Sequence, residues 1–190
     1  MKIDELKKVY KRCQEENADP VIFGDGNPDA SILLIGEAPG AKEIEQGKPF
    51  VGQAGKNLDD FLEILELERE DIYITNVVKF RPYRVSAKTG KKVNRPPNRQ
   101  EIEKHIQYLQ EEIEIIQPKI IVTLGNVPLR ALLRDDQAKI GDYHGKIIDK
   151  DPFFIFPLYH PASILYNRGL EEIYLEDLYR LKKHITEMLQ

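Results

Sequence analysis

The chain alternates short, dense apolar runs with longer stretches in which apolar residues are spaced out. SILLIG at 31–36, DIYIT at 71–75, KIIVTL at 119–124 and FFIFPLY at 153–159 are rich in β-branched, leucine and aromatic side chains, and each reads as a buried strand. Between them, apolar residues recur three and four positions apart. Residues 3–16 carry Ile3, Leu6, Val9, Tyr10 and Cys13, and residues 53–66 carry Ala54, Leu58, Phe61, Leu62 and Leu65. Residues 99–117 carry Ile102, Ile106, Leu109, Ile113 and Ile116, and residues 171–189 carry Ile173, Leu178, Leu181, Ile185 and Leu189. Each spacing predicts a helix with one buried stripe. Residues 128–134 add a short helix, and Gly24 to Ala30 reads as a loop by its turn chemistry.

Strands alternating with helices predict an α/β fold. We expect a single-domain three-layer sandwich over residues 1–190, with a central four-stranded, mostly parallel sheet flanked by helices. Ligands in such folds bind beyond the carboxyl ends of the strands. Gly36-Glu37-Ala38-Pro39-Gly40 follows the first strand, Asn76 the second, Gly125-Asn126 the third and His160-Pro161-Ala162-Ser163 the fourth. Polar or glycine-proline chemistry at four exits that converge on one edge predicts a site there.

Composition narrows the class. Of the 190 residues, 41% are hydrophobic and 32% charged, which fits a domain with a real core, and no run approaches the roughly 18 apolar residues of a membrane span. The start, MKIDELKKVYKRC, alternates charge with apolar residues and does not read as a signal peptide. A single cysteine excludes an internal disulfide framework and any all-cysteine metal site, so a cytoplasmic protein is expected. The net charge of −4 hides an asymmetry: Lys79, Arg81, Arg84, Lys88, Lys91, Lys92, Arg95 and Arg99 follow one another with no Asp or Glu between them. A long basic connection over 79–98 fits a local anionic partner, and equally a solvated loop.

Each candidate residue has a functional and a structural reading. Glu37, between two glycines after a buried strand, can orient or deprotonate water, or be a helix cap or surface acid. His160, between an apolar strand and a proline, can donate a hydrogen bond to developing negative charge, or be a structural histidine. Asn76 offers one acceptor and two donors to a base edge, or caps a turn. Phe50, among the small residues of GKPFVGQAG, can stack a planar base if its ring is exposed, or belong to the core. His105, His144 and His184 have no neighbours at ligand spacing and read as structural or solvated. No HxxH, HExxH or CxxC spacing supports a metal site.

GEAPG at 36–40, KPFVGQAG at 48–55, YITNVVK at 73–79, RPPN at 95–98, VTLGN at 122–126 and YHPASIL at 159–165 together resemble the uracil-DNA glycosylase superfamily, in particular its family 4 branch. The resemblance implies an enzyme that flips uracil out of DNA and hydrolyses its N-glycosidic bond in base excision repair, acting as a monomer on uracil-containing DNA. It implies that Glu37 positions the attacking water and His160 stabilises the leaving uracil anion. It implies that Phe50 stacks on the extruded base, that Asn76 reads its Watson–Crick edge, and that Gly36 and Ala38 border it. Backbone N–H groups around Gly125 and Asn126, Ser163, and the basic segment with Lys88, Lys91 and Lys92 would hold phosphates. The loop from Pro161 to Arg168 would push into the helix, with Leu165 as the wedge, or else Ile164 or Tyr166.

One departure is large. Family 4 members carry a 4Fe–4S cluster on four cysteines. The matching positions here hold Tyr10, Cys13, Phe80 and His105, and one thiol cannot supply a cluster needing about four ligands. No cofactor is therefore expected. Other readings are an inactive uracil- or nucleic-acid-binding homologue of the same fold, a phosphate-handling nucleotide hydrolase, and a non-enzymatic scaffold. The hydrolase predicts a Walker-type loop or clustered carboxylates, and the sequence has neither.

Overall fold

The four apolar runs form the middle of one sheet. The computed structural model describes residues 1–189, less the side chains of Leu165 and Leu189. In chain order its elements are α1 (Lys2–Glu16), β1 (Asp25–Gly26), β2 (Ile32–Gly36), α2 (Ala41–Gln46), α3 (Gly52–Leu65), β3 (Ile72–Asn76), β4 (Tyr83–Val85), β5 (Lys92–Asn94), α4 (Arg99–Ile116), β6 (Ile120–Leu124), α5 (Asn126–Leu133), α6 (Ile140–Tyr143), β7 (Ile148–Lys150), β8 (Phe153–Leu158), α7 (Pro161–Tyr166) and α8 (Glu171–Leu189). The sheet runs β1-β3-β2-β6-β8-β7. Its inner four strands are parallel, as expected, but β1 and β7 add antiparallel edges, so the sheet has six strands and is mixed, not four-stranded. Both additions are two or three residues long and largely exposed, so they carry no apolar run to read.

Alternation along the inner strands sorts the core into two layers. Ile32, Leu34, Ile74, Val122 and Phe156 face α3 and α8, whose Phe61, Leu62, Leu178 and Leu181 complete one cluster. Leu33, Ile35, Tyr73 and Ile121 face α1 and α4, whose Leu6, Cys13, Leu109 and Ile116 complete the other. Each fully buried Leu or Ile contributes about 1.5–3 kcal/mol of transfer free energy, so the α/β/α sandwich is held from both faces.

The basic connection is not a plain loop. Tyr83 pairs with Asn94, Arg84 with Val93 and Val85 with Lys92 in a two-stranded hairpin. Arg81 ties its base together, donating to the Asn94 side-chain oxygen at 2.7 Å and to the Lys92 carbonyl at 3.2 Å. Arg95 grips Glu101 through two bonds of 2.6 and 2.8 Å. The run of eight basic residues is also less uniform than it reads, because Lys79 is fully buried.

Candidate active site

Strand register brings the first two candidates together. Gly36, the last residue of β2, pairs with Asn76, the last of β3, and Glu37 follows immediately. A Cβ at position 36 would stand 2.5 Å from the Asn76 Oδ1 and 2.6 Å from the Phe50 Cζ. Only a glycine lets the phenyl ring and the amide meet over this strand end. Phe50 is 7% exposed, so its ring is a wall of the site and not an exposed platform. It takes a left-handed backbone, φ 51°, at a cost of about 1–2 kcal/mol for a side-chain-bearing residue.

Glu43 holds that turn. Its buried carboxylate accepts the backbone N–H of Gly40 and of Val51, each at 3.1 Å. One side chain therefore fixes both the segment carrying Glu37 and the turn carrying Phe50. Sequence reasoning missed it, because a glutamate inside a charged stretch carries no signal of burial.

His160 arrives from the other side of the sheet centre. Strand β8 delivers it to the start of α7, where its Nδ1 accepts the backbone N–H of Ala162 at 3.1 Å. Burial pushes its pKa below the ordinary histidine value. The ring is thus neutral, with its proton on Nε2 as a donor. Gly125, with φ 89°, leads into α5 beside it, and a Cβ there would lie 3.3 Å from the His160 Cβ.

Glu37, Ala38, Phe50, Asn76 and His160 line one cleft of about 350 Å³ at the carboxyl ends of the parallel strands. Burial raises the Glu37 pKa above the usual carboxylate value, and the carboxylate makes no ion pair among the described residues. Asn76 is 4% exposed as a residue, and its side-chain amide makes no hydrogen bond among the described residues. Asn94, from the hairpin, also lines the cleft. The sequence holds no hint of that, since the residue looks like any polar residue in a charged loop.

The remaining predicted residues are not in this cleft. Asn126 spends its side-chain oxygen on the Ile140 N–H at 2.8 Å. Ser163 is half-buried in α7, Arg168 is exposed after it, and Lys88, Lys91 and Lys92 are exposed on the hairpin. The Leu165 side chain lies outside the described residues. A larger cavity of about 640 Å³ opens between Ile113, Pro118, Leu132 and Phe153, at the amino ends of the strands, and none of the predicted site residues line it.

A buried polar network stands behind the cleft. The Lys79 ammonium donates to the Thr75 hydroxyl and to the Asn76 carbonyl, both at 2.7 Å, and pairs with Glu112. Glu112 also accepts from Tyr10 at 2.8 Å and from Thr75 at 3.0 Å. Tyr10 has spent its one proton on Glu112, so Tyr73 donates to the Tyr10 oxygen. Both charges are fully buried, which is tolerable only because every partner is present. The network links α1 and α4 to the end of β3 that carries Asn76.

Of Tyr10, Cys13, Phe80 and His105, only Cys13 offers a thiol to an iron–sulfur group. Burial holds Cys13 as a thiol, its pKa pushed up to about 11. His105 has its Nδ1 occupied by the Lys79 N–H at 3.2 Å, and burial with the nearby Lys79 charge pushes its pKa down to about 4. Its ring packs 5.3 Å from that of Phe80. No group of three His, Cys, Asp or Glu that can hold a metal occurs among the described residues. Nor is any helix there long and apolar enough to cross a membrane.

Residues 23–188 match the sequence model of the Uracil DNA glycosylase superfamily, and the chain belongs to that superfamily. It is 40% identical over 195 residues to the type-4 uracil-DNA glycosylase of Saccharolobus solfataricus, covering 96% of this chain and 84% of that protein. It is 38% identical over 199 residues to the type-4 enzyme of Sulfurisphaera tokodaii (95% and 85% covered). With the type-4 enzyme of Thermotoga maritima it shares 37% identity over 187 residues (97% and 93% covered).

Proposed function

We propose that the protein is a uracil-DNA glycosylase of base excision repair that hydrolyses the bond between deoxyribose C1′ and uracil N1. The observation that carries this reading is the meeting of an unpaired carboxylate, a neutral imidazole donor, an unpartnered amide and a phenyl wall in one cleft. The uracil leaves the base stack at a cost of a few kcal/mol and enters against Phe50. Asn76 offers an acceptor to uracil N3–H and a donor to O4. Cytosine reverses that order and is rejected.

As the C1′–N1 bond breaks, the electron pair moves onto uracil and positive charge develops on the sugar. The Nε2–H of His160 stabilises the oxyanion where it forms. Glu37 orients a water toward C1′; the hydroxyl goes to the sugar and the proton ends on the departing base. Phosphates are held by the Asn126 N–H at the start of α5, since the Gly125 N–H is spent on the Leu158 carbonyl at 2.8 Å, by Ser163 and Arg168, and by Lys88, Lys91 and Lys92 of the hairpin. The protein works as a monomeric single domain over residues 1–190, in the cytoplasm, without an iron–sulfur cluster; the lone thiol supports the last point.

Excision assays with Asn76→Asp test the reading. The added carboxylate removes the donor to O4, so discrimination of uracil from cytosine should fall by at least tenfold. Unchanged discrimination would give the base-reading role to another residue.

A further inference from the structure

We propose that Tyr83 and the side chains around it form a second nucleobase site, which takes the base next to the extruded uracil. The proposal rests on the reading of the main cleft as a uracil site, and concerns the same DNA strand. Tyr83 lies directly opposite Asn94 in the hairpin, and Asn94 lines the uracil cleft. Cross-strand partners place their Cβ atoms about 4.5–5.5 Å apart. Tyr83 therefore stands next to a wall residue of the cleft, where a nucleotide adjacent to one bound there can reach it.

The site is built and not merely exposed. Tyr83, Lys92, Arg81, Ile44, Pro20 and Asp19 enclose a hollow of about 140 Å³ beside the cleft. The hairpin that carries Tyr83 is held by side-chain bonds. Arg81 bonds Asn94 and Lys92, and Arg95 donates to the Tyr83 carbonyl at 3.1 Å. The Lys92 ammonium lies 4.1 Å from the Tyr83 ring centroid. An exposed cation–π contact is weaker than a base stacked on an aromatic ring. An incoming base therefore displaces the ammonium, which is left beside the phosphate of that nucleotide. Ile44 and Pro20 supply apolar walls, and Asp19 and Arg81 can meet the polar edges of a base. Every base has a π-face, so the site holds the strand without reading its sequence.

The test measures binding to single-stranded oligonucleotides that contain 2′-fluoro-2′-deoxyuridine, which resists hydrolysis. In two of them the base on the 5′ or the 3′ side of the uridine is replaced by an abasic residue. The wild-type protein should bind about tenfold more weakly when one particular flanking base is missing. Tyr83→Leu should show the same loss with the intact strand, and no further loss when that base is removed. Tyr83→Phe should behave as wild type. Equal affinity of the wild type for all three strands overturns the proposal, and that comparison needs no variant to fold. Equal sensitivity of Tyr83→Leu and wild type to base removal also overturns it. A wild type that binds the uridine strand no better than a thymidine strand would instead refute the uracil reading of the main cleft.

Discussion

The Nδ1 atom of His160 accepts the backbone N–H of Ala162 at 3.1 Å, and that bond decides where the ring keeps its proton. With Nδ1 engaged as an acceptor, Nε2 is the donor in the neutral ring. The start of α7 thus orients the His160 imidazole through its own main chain. His160→Ala should lower kcat for uracil release by about 10²–10³, the usual effect of removing one donor to developing negative charge, with little change in DNA affinity. Single-turnover kinetics alongside equilibrium binding would check this, and an effect confined to affinity would contradict it.

In the proposed mechanism Glu37 sets activity against stability. Its folded pKa is raised by burial, so the native state holds its proton more tightly than the unfolded chain, where the value is about 4.3. That interaction favours folding below about pH 4.3 and disappears as pH rises through the folded value. Glu37→Gln should therefore melt at a higher temperature than wild type at pH 7, with the difference closing toward pH 4. The same variant should lose activity by about 10²–10⁴. Wild-type activity should fall as pH drops through a value above the ordinary carboxylate range. Calorimetry across pH and a pH–rate profile supply the measurements.

Lys79 and Glu112 form a buried pair in which each charge depends on the other. Lys79→Met alone or Glu112→Leu alone should cost about 3–5 kcal/mol, because one unpaired charge remains in the core. The double variant should cost clearly less than the sum of the two. Denaturant unfolding would measure this, and additive losses would show that the two groups act independently.

On the hairpin, only some of the basic run is free to meet DNA. Arg95 is committed to Glu101, Arg99 to Glu103 and Lys79 to Glu112, whereas Lys88, Lys91 and Lys92 make no ion pair among the described residues. Replacing those three with Ala should reduce the slope of log affinity against log salt by roughly 0.7–0.9 for each phosphate that is no longer neutralised. An unaltered slope would remove the hairpin from the DNA interface.

These residues also show what could be read in advance. The inner strands and the long helices were legible because burial on one or both faces imposes a hydrophobic period. The edge strands were not: Asp25–Gly26 is held by pairing to a strand remote in sequence, and Ile148–Lys150, though it pairs with the strand that follows it, is too short and exposed to carry a hydrophobic period. Glu37, Asn76 and His160 could be located because each sits where a parallel strand ends. Glu43, Asn94 and Glu112 could not, because a polar residue in a charged segment looks the same whether it faces solvent or turns inward. Lys79 is the clearest case: it belongs to the basic run in sequence and to the core in space.

The most direct measurement is product analysis of a uracil-bearing oligonucleotide incubated with the wild type and with Glu37→Gln. Free uracil and an abasic strand should form with the wild type, with EDTA having no effect, and the variant should bind the same strand while releasing base at least a hundredfold more slowly. An intact strand after incubation with folded wild-type protein, or equal release by both proteins, would contradict the account.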